Sequence, residues 1–147
     1  MSEKIRSYKD LIVWQKAILL VTEIYSISKT FPDSEKFGLT NQLNRAVVSI
    51  PSNIAEGWGR ETKKNHLQFL RISRGSLMEV ETLILISKNL RYINDQTFKI
   101  ISDAIEEVGK ILQGLIKSIQ QKILLTENQK LEALISSIDI GQMKGEK

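Results

Sequence analysis

Ser49-Ile50-Pro51-Ser52-Asn53-Ile54-Ala55-Glu56-Gly57-Trp58-Gly59-Arg60 sets a proline, two glycines and a tryptophan between segments that otherwise carry helical periodicity. A proline inside a helix costs about 3 kcal/mol, because it removes a backbone donor and its ring crowds the carbonyl four residues back. Phe37, Thr40, Leu43, Val47 and Ile50 recur at three- and four-residue steps, and Ile54 keeps the same phase beyond Pro51. Continuous phase predicts one helix, starting near Glu35 and kinked at Ile50/Pro51, in which the Val47 carbonyl loses its usual donor. Gly57 and Gly59 are expected to stop that helix, leaving Trp58 past its end as a packing lid.

Working outward toward the N-terminus, Leu11, Trp14, Ile18, Val21 and Tyr25, with Ala17 and Ile24 widening the stripe, predict an amphipathic helix over residues 10–28, with Asp10 as its cap and Trp14 in the core. Phe31-Pro32-Asp33 breaks that pattern, and Asp33 or Ser34 can cap the kinked helix. On the other side, Thr62 can cap a third helix running to about Asn89. It carries two apolar lines, Leu67/Leu70/Leu77/Ile84 and Phe69/Ile72/Val80/Leu83, so it is expected to pack on two sides. Ser73, Gly75 and Ser76 in its middle suggest close approach of another backbone.

After a turn over residues 90–95, Phe98, Ile101, Ile105, Val108, Leu112, Leu115, Ile119 and Ile123 form a bundle seam. No useful stretch alternates with period two. Four amphipathic runs joined by short turns predict an all-α fold, an antiparallel up-down four-helix bundle over residues 1–123. Residues 124–147 read as a C-terminal extension, a short helix near 126–138 followed by a frayed end.

The chain has 147 residues, no cysteine and a net charge of +4. Without cysteine there is no disulfide, thiolate metal site or Cys nucleophile. The charged first residues and the lack of an apolar run near the roughly 20 residues that span a bilayer predict a cytoplasmic protein without a membrane role. Charge is uneven: residues 1–78 carry twelve Lys/Arg against seven Asp/Glu, whereas residues 79–147 carry nine against ten. Arg60, Lys63, Lys64, His66, Arg71 and Arg74 can form a strip at the corner between the second and third helices, of the kind that binds RNA or DNA phosphates. Lys63 and Lys64 also stand at the positive end of a helix, where an external anion would relieve them.

Catalytic chemistry finds little support. His66 is the single histidine and no Glu-x-x-His accompanies it, so no metal or other cofactor is expected. Glu79/Glu81 and Glu106/Glu107 lack the spacing that puts two carboxylates on one helix face. Gly57-Trp58-Gly59 has neither the strand nor the glycine pattern of a phosphate loop. Arg45, Ser49, Asn53 and Glu56 do share a helix face; they are either solvated or part of a polar network with Arg74 and Glu81 that fixes register.

Phe37-Gly38-Leu39-Thr40-x-Gln42, the run from Arg45 to Arg60, and Gly75-Ser76-Leu77-x-Glu79-x-Glu81-Thr82 resemble the bacterial 23S rRNA intervening-sequence protein family, over roughly Tyr8 to Ile119. The resemblance implies a four-helix bundle assembling into a homopentameric ring. The accessory protein of diversity-generating retroelements is similar in fold and binds nucleic acid and a reverse transcriptase. The resulting expectation is a non-enzymatic homo-oligomer, a pentamer, that uses its basic surface as a nucleic-acid-binding or ribonucleoprotein accessory factor. The alternative is a scaffold on whose ring a protein partner docks, with no nucleic-acid role.

Overall fold

The computed structural model of the chain describes residues 4–145. Four helices account for most of them: α1 (Ile12–Ser28), α2 (Leu39–Trp58), α3 (Lys63–Asn89) and α4 (Asp95–Gly145). Short 3-10 turns at Tyr8–Asp10 and Asp33–Glu35 precede α1 and α2. Neighbouring helices pair with opposed numbering, so they are antiparallel. Gly57 lies against His66 and Phe69, while Ser49 bonds Ser76. Arg74 reaches Gln113 and Lys64 reaches Glu127; Lys16 reaches Glu107. One apolar core joins all four, with Leu20, Ile24, Leu43, Ile50, Leu70, Ile84, Leu112 and Ile116 fully buried.

α2 runs through Pro51 as one helix, as the unbroken phase predicts. Its beginning and end differ from the sequence reading. The segment near Glu35 is a 3-10 turn, and the Glu35 carboxylate accepts from the Leu39 N–H at 2.9 Å, capping α2 four residues further on. Phe37 is therefore outside the helix and 87% exposed, while Leu39 takes the core position. Gly57 does not stop α2; it is buried within the last turn, and Trp58 is the final helical residue.

In α1 the expected Ala17 and Ile24 are buried, while Val13 and Leu20 take the core positions expected of Ile18 and Tyr25. Ile18 and Tyr25 are exposed, and Trp14 is half-buried, edge-on to Tyr8 at 5.4 Å. Asp10 caps the preceding turn, accepting from Arg6 and Ser7, and α1 starts at Ile12 with Leu11 as an N-cap that offers no side-chain bond.

Thr62 caps α3 as expected, accepting from the Asn65 N–H at 3.1 Å. The α3–α4 turn closes through Arg91, whose φ of 63° is left-handed. Its N–H donates to Lys88 and that of Tyr92 to Ser87, both at 2.9 Å, so an arginine fills the position usually given to glycine. Asn94 then caps α4, accepting from the Thr97 N–H at 2.8 Å.

Within one chain the two apolar lines of α3 bury Leu67, Leu70, Leu77, Val80, Leu83 and Ile84, whereas Ile72 stays 45% exposed. On the α2 side, the Ser73 hydroxyl donates to the Ile50 carbonyl at 2.9 Å, next to Pro51. On the α4 side, Leu77 approaches Gly109. Gly75 is not the point of close approach, since a Cβ there would meet nothing within 4 Å; Gly57 is. Ile116 replaces Leu115 among the fully buried α4 positions. α4 does not end near Leu125: residues 126–138 and the expected frayed stretch up to Gly145 continue the same helix, with every residue from Leu124 exposed. Residues 146 and 147 lie outside the described residues.

Candidate nucleic-acid interface

The α2–α3 corner is built on the Gly57 contact. Without a side chain at Gly57, His66 and Phe69 of α3 press directly on the α2 backbone. His66 is half-buried, its ring edge-on to Trp58 with centroids 6.3 Å apart, and its Nε2 is buried without a hydrogen-bond partner. Burial penalises the imidazolium and lowers the His66 pKa below its ordinary value. Near neutral pH the ring is thus uncharged, and it supports the corner rather than adding positive charge to it.

Arg60 follows the end of α2 and is already engaged. Its Nη2 donates to Glu56 Oε1 at 2.8 Å, and its guanidinium sits 4.5 Å from the Phe69 ring centroid. Glu56 thereby leaves the polar stripe of α2 to pair with Arg60, one helical turn further on.

Lys63, Lys64, Arg71 and Arg74 occupy one side of α3, the side next to α4. Lys64 pairs with Glu127 at 3.0 Å, and Arg74 donates to Gln113 at 2.9 Å. Lys63 and Arg71 are exposed and make no ion pair among the described residues. A groove of about 270 Å³ between the start of α3 and α4 is lined by Thr62, Lys63, Lys64, Glu127 and Lys130. The structure thus brings Lys63 and Lys64 together with a cation that sequence reasoning missed, Lys130, while Arg71 and Arg74 continue the row along α3. It sets Arg60 and His66 on the α2 side. The missing signal was tertiary: α4 comes beside α3 only because both line one bundle.

The polar stripe of α2 is satisfied in part. Asn53 Nδ2 donates to the Ser49 carbonyl at 2.8 Å and to its hydroxyl at 2.9 Å, and that hydroxyl shares a 2.8 Å bond with Ser76. Arg45 is exposed beside a separate groove that also includes Ser49, Ser76 and Glu79. Arg74 and Glu81 do not join it: Arg74 turns to Gln113, and Glu81 lines a groove toward α4 with Phe98 and Ser102. Among the described residues no group of three or more His, Asp or Glu could hold a metal ion, and no helix is long and apolar enough to cross a membrane.

Comparison with known proteins agrees with this architecture. A search of curated proteins finds no match. The crystal structure of a protein of unknown function from the S23 ribosomal protein family of Bacteroides thetaiotaomicron superposes with a TM-score of 0.68 at 23% identity, over 72% of this chain and 99% of that one. That likeness concerns the fold. The family model described as 23S rRNA-intervening sequence protein matches residues 9–114, which takes in α1, α2, α3 and the bundled part of α4. By that match across most of its length, the chain belongs to the 23S rRNA-intervening sequence protein family.

Proposed function

We propose that this chain is a non-enzymatic, homo-oligomeric helix-bundle protein, a pentamer, that binds nucleic-acid phosphates through the α3–α4 seam as a ribonucleoprotein accessory factor. One observation carries the reading: Lys63, Lys64 and Lys130 surround a single groove, and Arg71 continues the row along α3, with Glu127 the one carboxylate lining that groove. Such a row of cations neutralises backbone phosphates and carries no base-reading geometry, so binding is expected to be salt-dependent and weakly sequence-selective. A ring of subunits multiplies a modest patch by avidity. The family description, which ties its members to 23S rRNA genes, is compatible with an RNA-linked role.

Electrophoretic titration with structured RNA at two salt concentrations tests the phosphate reading. Binding that weakens steeply with salt supports it; no binding at low salt, or binding indifferent to salt, overturns it. A mass measurement in solution tests the ring separately, and a monomer would remove it.

A specific observation favours a second reading, a scaffold for a protein partner. Ile72, Met78, Leu85 and Ile86 of α3 are 40–60% exposed on a helix whose other apolar residues face the core. Reversing Lys63 and Lys64 to Glu leaves partner capture intact if the scaffold reading holds.

A further inference from the structure

α4 outruns the bundle. Ile119 is its last buried residue and Lys130 the last to line a groove with α3, so at about 1.5 Å per residue the stretch from Leu131 to Gly145 projects roughly 22 Å. The family match ends at residue 114, so this extension is carried beyond the shared domain.

The extension is not a uniformly polar rod. Leu124, Leu131 and Ile138 recur at seven-residue steps, and Leu134 and Ile135 fill the interval between the last two. On a helix these five lie along one stripe. All are at least half exposed, from 50% at Ile135 to 59% at Leu124 and Leu134. Helices in proteins owe most of their stability to packing of an apolar face. No other element of the described chain covers this stripe.

The charges say what fits it. An anionic membrane surface or a phosphate backbone selects a helix whose polar face is rich in lysine and arginine. Here Lys122, Lys130 and Lys144 are balanced by Glu127, Glu132 and Asp139, so the stretch from 122 to 144 is neutral. The charges beyond the bundle are also sorted by side. Relative to the line of Leu124, Leu131 and Ile138, Lys130 and Lys144 fall on one flank, whereas Glu132 and Asp139 fall on the other. Glu127, on the lysine flank, is already paired with Lys64, and Lys122 lies on the far face. In a parallel pair of helices the opposite flanks meet, which sets lysines against acids at both edges. In an antiparallel pair like flanks meet, and lysine faces lysine.

We propose that the α4 extension packs in parallel against the same segment of a second copy of this chain, with Leu124, Leu131, Leu134, Ile135 and Ile138 forming the seam. The seam residues lie outside the phosphate groove, and Lys130 is the one residue that the flank of this interface shares with it. A parallel arrangement holds residues of the same number level with one another, so each seam residue meets its own counterpart.

The absence of native cysteine makes a direct test possible in the full chain. Under mild oxidation and without nucleic acid, Leu131→Cys and Ile138→Cys are each expected to yield mostly disulfide-linked dimer on a non-reducing gel. Ser136→Cys, on the opposite face, is expected to give at least fivefold less. Adding Leu124→Glu and Leu134→Glu to the Leu131→Cys chain is expected to remove most of the cross-link while circular dichroism shows the bundle still folded. A ring built by the bundle alone leaves the extensions apart and gives none of these links. Absence of dimer from both seam positions, equal yield from Ser136→Cys, or linking of Leu131→Cys without Ile138→Cys would each overturn the proposal.

Discussion

Gly57 of α2 and Phe69 of α3 approach so closely that a Cβ on the glycine would stand 2.9 Å from the Cβ of Phe69. The same atom would lie 3.1 Å from the His66 backbone carbonyl, which cannot swing aside as a flexible side chain does. The glycine therefore sets the spacing between α2 and α3 at the end where the candidate interface begins.

Gly57→Ala puts two effects in opposition. Helix propensity favours alanine by about 1 kcal/mol, while overpacking costs typically about 1–3 kcal/mol. The overpacking is expected to win, lowering Tm in thermal unfolding. Gly75→Ala is the control: its Cβ enters open space, so propensity acts alone and Tm is expected to rise.

His66 predicts a pH dependence with a defined sign. Its folded pKa lies below the unfolded value of about 6.5, so the unfolded chain binds the proton more readily. The stability from the neutral ring is fully present above about pH 6.5, declines as pH falls toward the lowered folded pKa, and is lost below it. His66→Phe removes the titration and the unpartnered Nε2, so Tm measured across that range is expected to lose this component of its slope.

Ser73→Ala is expected to lower stability in urea unfolding by about 1 kcal/mol, the usual worth of an intramolecular hydrogen bond. The hydroxyl is fully buried and bonds the Ile50 carbonyl across the α2–α3 interface. Ser52→Ala provides the contrast, because that exposed hydroxyl bonds only the Val48 carbonyl of its own helix and is expected to matter little.

If the α3–α4 seam holds phosphates, Arg71→Gln is expected to weaken RNA binding and reduce the slope of log affinity against log salt by about 1. Arg60→Gln is expected to change the slope less, because Arg60 is already paired with Glu56 and stacked on Phe69. Titrations at several salt concentrations separate the two. Equal effects would move the contact surface to the α2 side.

Much of the fold was legible in the chain because helical periodicity is a local property. The phase shared by Leu43, Val47, Ile50 and Ile54 carried α2 through Pro51, and the Thr62 cap placed the start of α3. Local signals misplaced what depends on competition between neighbours. Asp10 had two helical starts within reach and capped the earlier one. Glu35 resembled a first-turn residue but capped from outside the helix. In α1, Val13 and Leu20 displaced Ile18 and Tyr25 because the direction of the core is set by α2 and α4, not by α1 itself.

The candidate site shows the same division. Sequence alone determined an all-α chain, the order and approximate span of its helices, a basic first half, and the cations Lys63, Lys64, Arg71 and Arg74 on one helix. Only the tertiary structure decided that Gly57 is a contact rather than a stop, that His66 turns inward and Arg60 pairs with Glu56, and that Lys130 joins the α3 cations. The physical reason is range. Periodicity, caps and proline act within a few residues, whereas close approach, desolvation and ion pairing depend on which distant segment the core places alongside.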